Sequence, residues 1–114
     1  MDRPLPNLTV TQLRYVREAA TAPTLTVAAA RLGVTQSALT QGIAEVERRL
    51  GVFLFDRSGR TRRPTAVLPD VLAVASQVLA AVDDLTGRLD ELAAGRRGTL
   101  RVGMIDTAAL DQGA

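Results

Sequence analysis

The sequence predicts a mainly α-helical chain built from three short helices, a two-stranded hairpin and one long helix. Three observations carry that expectation. Apolar residues recur at helical spacing in four separate stretches. Threonine stands before these stretches, and glycine or proline after them, where helices start and stop. The only aromatic residues are Tyr15, Phe53 and Phe55, so burial rests on Leu, Val and Ala, which lets helices pack closely. With 114 residues and 46% hydrophobic content, the chain has enough for one small domain plus an appendage and is not wholly disordered.

The first helix is expected over residues 9 to 20, TVTQLRYVREAA, where Thr9 followed by Gln12 is a capping-box pattern. Val10, Leu13, Val16 and Ala20 supply its apolar spacing, and Ala22-Pro23 stops it, because a residue before proline avoids the helical region. Thr24 or Thr26 caps the next helix, VAAARL, and Gly33 suits the left-handed position that follows a helix. Thr35 caps a third helix from about Gln36 to Leu50. A helix, a short glycine turn and a second helix form a helix-turn-helix, a shape shared by nucleic-acid binders and ordinary helical corners.

Projected at about 100° per residue, Leu39, Ile43, Val46 and Leu50 fall on one arc of the third helix and face the core. Ser37, Gln41, Ala44 and Arg48 lie opposite, with Thr40 on one flank and Gln36 at the exposed start. The stretch LGVTQSALTQGIA, residues 32 to 44, carries no charge. Amides and hydroxyls are the groups that read base edges, and small residues admit a helix deep into a groove. The competing reading is a polar helix start chosen for capping alone.

Residues 51 to 65, GVFLFDRSGRTRRPT, change character. Val52 to Phe55 form a strand-like run, Asp56-Arg57-Ser58-Gly59 is turn chemistry, and Thr61 to Thr65 can return as a second strand. Such a hairpin is a wing, and Arg57, Arg60, Arg62 and Arg63 on it would face phosphate or a minor groove. Residues 66 to 94 then read as one helix whose Val71, Ala75, Val78, Val82, Leu85, Leu89 and Leu92 alternate in steps of four and three, a heptad seam. The seam spans roughly 33 Å and calls for a partner helix, most simply from a second copy. Pro69 suits a helix beginning near Leu68 and would kink one begun at Thr65; Gly95 is expected to end it. GRRGTLRVGMID reads as a linker followed by an apolar strand from Leu100 to Ile105, the start of a further, truncated domain.

Charge divides the chain in the same place. Residues 1 to 65 hold ten arginines against five acids, and residues 66 to 114 hold four against seven. The first segment has the balance of a nucleic-acid binder. With neither cysteine nor histidine, disulfides, thiolate or imidazole metal sites and every nucleophile-histidine pair are excluded. The acid pairs Glu45/Glu47 and Asp83/Asp84 sit in polar helical contexts and are read as solvated surface, so no enzyme is expected. The start, MDRPLP, lacks an apolar signal core, and no stretch approaches the ~18 apolar residues of a membrane span, so a cytoplasmic location is expected.

Together these stretches resemble the N-terminal part of LysR-type transcriptional regulators. The resemblance rests on QLRYV, TLTVAAARLGVTQSALTQGI, VERRLGVFLFDRSGR and RRPT, in order and without a gap, and covers about residues 8 to 105. It implies a winged helix-turn-helix over 1 to 65 (three helices plus a two-stranded wing), a dimerisation linker helix over 66 to 94, and a hinge with the first strand of an effector domain over 95 to 114. It implies double-stranded DNA as partner and a homodimer, with a tetramer open to the full-length protein, reading an interrupted palindrome. Gln36, Ser37, Thr40 and Gln41 would contact bases. Thr35 and the four wing arginines would hold phosphate or the minor groove, Arg60 entering the latter. No cofactor is implied for this segment; a small-molecule inducer belongs to the missing effector domain. Gln41 stands where many members carry arginine, and Gly42 where a larger polar residue is frequent. The alternative is a protein-protein module using the heptad helix without DNA.

Overall fold

The computed structural model describes residues 7–56, 58 and 62–99. Its elements run α1 (Val10–Thr21), α2 (Leu25–Leu32), α3 (Gln36–Leu50), β1 (Phe55–Asp56), β2 (Arg63–Pro64) and α4 (Leu68–Thr99). The architecture is mainly helical, a winged helix-turn-helix followed by a long helix, as the sequence predicts.

Each short helix starts on a threonine. Thr9 Oγ1 accepts from the Gln12 backbone N–H at 3.1 Å while Gln12 Oε1 accepts from the Thr9 N–H at 2.9 Å, so the capping box forms in full. Of the two candidates for α2, Thr24 is the cap, its hydroxyl accepting from Val27 N–H at 3.1 Å. Thr35 caps α3 by accepting from Ala38 N–H at 3.0 Å. Gly33 and Gly51 end α2 and α3 in the left-handed region at φ 70° and 74°, where a side chain is strained.

α1, α2 and α3 close around Val16, Ala19, Ala28, Ala29, Leu39, Ile43 and Val46, with Leu54, Phe55 and Leu68 sealing the cluster. The predicted arc of α3 is the buried one, Leu50 being half-buried at its end. Burying one such leucine contributes about 2 kcal/mol, and the alanines on α1 and α2 leave no bulk to hold these helices apart.

The hairpin is shorter than the strand-like run implies. Among the described residues only Phe55 pairs with Pro64 and Asp56 with Arg63, antiparallel. Val52 to Leu54 lie outside the ladder, and α3 engages two of their N–H groups: Glu47 O accepts from Val52 N–H at 3.2 Å, and the Glu47 carboxylate accepts from Leu54 N–H at 2.8 Å. Thr65 then joins the strands' open end, donating its N–H to Leu54 O at 3.0 Å and its hydroxyl to Phe53 O at 2.6 Å.

The chain divides into two compact units, residues 1–80 and 81–114. The first extends past the boundary expected at 65/66, because Leu68 is part of the core and Val71 packs against it. α4 begins at Leu68, so Pro69 sits in its first turn, where a missing N–H removes no helical bond. Gly95 does not end α4, which continues to Thr99. An interior glycine weakens a helix by only about 1 kcal/mol, and Ala93, Ala94, Arg96 and Arg97 around it favour one. The segment expected to be a linker from residue 95 is therefore helical to 99, and the expected strand from Leu100 to Ile105 lies outside the described residues. In the second unit Leu85, Leu89 and Leu92 are 55%, 56% and 57% exposed.

Candidate nucleic-acid interface

The turn between α2 and α3 is fixed by backbone. After Gly33 reverses the chain, Val34 N–H returns to Ala29 O at 3.0 Å, and Thr35 opens α3 within two residues. This presents the first two turns of α3 outward: Gln36, Ser37, Thr40 and Gln41 are all exposed, with Ala44 and Arg48 continuing along the helix. The four predicted reading residues therefore share one accessible, uncharged surface. Gln36 is held there by a partner that sequence spacing does not reveal, Thr26 of α2, whose hydroxyl donates to Gln36 Oε1 at 3.1 Å. The start of α3 adds backbone N–H groups and the positive end of the helix dipole, both suited to an anion. The Thr35 hydroxyl is occupied as an acceptor by the cap and keeps its own proton to donate.

Charge flanks this surface. Arg48 is exposed at the far end of α3, its Nε donating to Glu45 Oε1 at 3.1 Å. Arg49 also pairs with Glu45 and donates to Asn7 O. Hydrogen bonds from Arg48 and Arg49 hold the Glu45 carboxyl below its ordinary value. On the wing, Arg63 is exposed. Asp56 across from it is likewise lowered, first by the Ser58 backbone N–H that donates to Asp56 Oδ1 at 2.9 Å, then by the Ser58 side chain and by the Arg63 charge.

Arg62 departs from expectation. Its guanidinium turns inward, where Nη2 donates to Ala19 O and, at 3.4 Å, to Ala22 O. It also lies over the Phe55 ring, 5.4 Å from the centroid. Burial lowers its pKa. Those carbonyls belong to the end of α1, which has no helical partners for them, so a cation there satisfies both the orphan acceptors and the helix dipole. Arg62 thus anchors the wing to α1 and is not offered to phosphate. Arg57 and Arg60 lie outside the described residues.

Glu47 is a second correction. It is not solvated surface but 4% exposed, receiving the Leu54 and Phe55 N–H groups at 2.8 and 3.3 Å. It fixes the exit from α3 into the wing. Gly42 is explained by packing: a Cβ there would lie 2.5 Å from Tyr15 Cε2 and nearer still to Cδ2. The seam on α4 is not uniform either. Val71 packs on the chain's own core and Ala75 is buried, which takes both out of the expected dimerisation set; Val78, Leu85, Leu89 and Leu92 remain exposed and Val82 half-buried. Among the described residues no helix is long and apolar enough to cross a membrane, and no cluster of three or more potential metal ligands occurs.

Comparison with known proteins places this geometry. Residues 10–67 match the profile of the bacterial regulatory helix-turn-helix proteins of the lysR family. The HTH-type transcriptional regulator YnfL of Escherichia coli is 35% identical over 102 residues, 90% of this chain and 34% of that protein. Full-length OxyR from Pseudomonas aeruginosa superposes with a TM-score of 0.71 at 32% identity, over 75% of this chain and 29% of that one. The DNA-binding domain of BenM, solved in complex with catB site 1 DNA, superposes with a TM-score of 0.69 at 26% identity, over 75% of this chain and 96% of that one. The chain therefore spans about a third of the length of full-length relatives and nearly all of an isolated DNA-binding domain. It belongs to the lysR family of bacterial regulatory helix-turn-helix proteins.

Proposed function

We propose that this chain reads an interrupted palindrome as a homodimer, dividing the work between an uncharged reading surface and arginines that hold the duplex. Gln36, Ser37, Thr40 and Gln41 meet base edges in the major groove, glutamine being matched to adenine. Arg63 on the wing, with Arg60 and Arg57 by their resemblance to family positions, holds phosphate or the minor groove; Thr35 and the start of α3 add neutral donors. Val78, Val82, Leu85, Leu89 and Leu92 pair with a second copy and set the half-site separation. A regulator acting on bacterial DNA works in the cytoplasm. An inducer, where one acts, binds a domain outside this segment.

The observation that carries this reading is the exposed, uncharged surface of the first two turns of α3 in a chain whose wing also exposes Arg63. It supports separate roles that mutation will distinguish. Gln41→Ala is expected to relax preference at one base pair by about 1–3 kcal/mol while leaving affinity for random duplex unchanged. Arg63→Ala is expected to weaken all duplexes alike and reduce the salt slope of log K by about one. Fluorescence anisotropy across a salt series checks both. Equal losses on specific and random duplexes for Gln41→Ala would contradict a reading role.

A further inference from the structure

Gly42 follows the reading residue Gln41 directly, and the Tyr15 ring of α1 occupies the place its side chain would take. A Cβ at Gly42 would stand 2.5 Å from Tyr15 Cε2, closer to Cδ2, and 3.6 Å from Cγ. Carbon atoms in ordinary contact are about 3.5–4.0 Å apart, so any other residue would push ring and helix apart by roughly 1 Å. The ring is not free to swing aside, because Tyr15 is half-buried and packed against the core cluster. Base reading tolerates little of such movement: hydrogen bonds span only about 2.7–3.2 Å, and recognition groups must be held within about 0.5 Å.

We infer that Tyr15 and Gly42 form a seat that sets the depth and rotation of α3, making both positioning residues for sequence discrimination although neither is on the reading face. This rests on the DNA-reading role of α3 proposed above. The seat consists of ring carbons against backbone, so the tyrosine hydroxyl is dispensable. It also couples the two positions: enlarging residue 42 is harmful only while the ring is present.

The test is a double-mutant cycle on the full chain, with a duplex that the wild type selects from a random pool and a scrambled control. Gly42→Ala is expected to weaken the selected duplex about tenfold while changing the control less than about twofold, because attachment by arginine tolerates a small shift. Tyr15→Phe retains wild-type discrimination. Tyr15→Leu, which removes the supporting ring, lowers it several-fold. Leucine keeps a carbon at the Cγ position, in ordinary contact with an added Cβ, and turns its methyls aside, so the pair Gly42→Ala/Tyr15→Leu discriminates better than Gly42→Ala alone. Wild-type discrimination by Gly42→Ala, or simple additivity in the pair, would overturn the seat. Should Gly42→Ala fail to fold by circular dichroism, Tyr15→Leu against Tyr15→Phe decides: equal discrimination overturns it. A wild type that selects no duplex refutes the reading role itself and is seen before any variant is made.

Discussion

Replacing Glu47 with leucine will destabilise the DNA-binding unit by about 3 kcal/mol, although the residue belongs to no reading or holding surface. Leucine matches the buried position in polarity and approximate size but accepts no hydrogen bond. The N–H groups of Leu54 and Phe55, residues that are 0% and 4% exposed, would lose the carboxylate that receives them. A buried donor left without a partner costs about 1–3 kcal/mol. Glu47→Gln retains an accepting oxygen and is expected to recover part of the loss. For a unit of this size the leucine variant corresponds to a melting temperature lower by about 12–24 °C. Urea denaturation of both variants measures the effect; a loss below about 1 kcal/mol for leucine would show that the wing entry does not depend on the carboxylate.

Placing glutamate at both Leu85 and Leu89 is expected to yield monomers in place of the proposed dimer while leaving the three-helix core intact. Both leucines are more than half exposed in the single chain, so the free helix loses little burial by the change. In a paired helix the same positions would be covered, and four buried carboxylates per dimer would face apolar partners. Val71 and Ala75 are unsuitable for this test, since Val71 packs on the chain's own core and Ala75 is buried, so that both would report on folding. Sedimentation equilibrium reads the mass, and affinity for a duplex with two half-sites should fall about a hundredfold or more as the second contact ceases to be intramolecular. An unchanged dimer would place the interface elsewhere.

The features that are local in sequence were legible in it. Thr9 with Gln12, Thr35, Gly33 and the Leu39/Ile43/Val46 arc each act within one helical turn or one helix face, and spacing alone reveals them. The uncharged face of α3 was legible for the same reason. Contacts between elements were not. Arg62 reaches back some forty residues to the end of α1, and composition marks it only as one more wing arginine. Thr26 and Gln36 are ten residues apart on different helices. The Tyr15 seat is invisible without the α1–α3 packing, although an interior glycine signalled that something lay close. Glu47 could have been found: at about 100° per residue it lies only about 40° from Ile43, on the edge of the core arc, which is a poor place for a solvated acid. The strand-like run from Val52 misled because an apolar, β-prone segment is also what packs across a helix end, and Glu47 supplies the partners a ladder would otherwise provide. Helix continuation past Gly95 shows the limit of a propensity argument, since Gly95 and Gly98 together cost only about 2 kcal/mol, spread over a helix of 32 residues.

Discrimination by α3 and attachment by arginines separate under selection from a pool of random duplexes at low and at moderate salt. One sequence, made of two inverted half-sites, is expected to recur at both salt concentrations while the amount recovered falls steeply as salt rises. Recovery that falls with salt but enriches no sequence would contradict a reading role for α3, because the chain would then hold DNA without reading it.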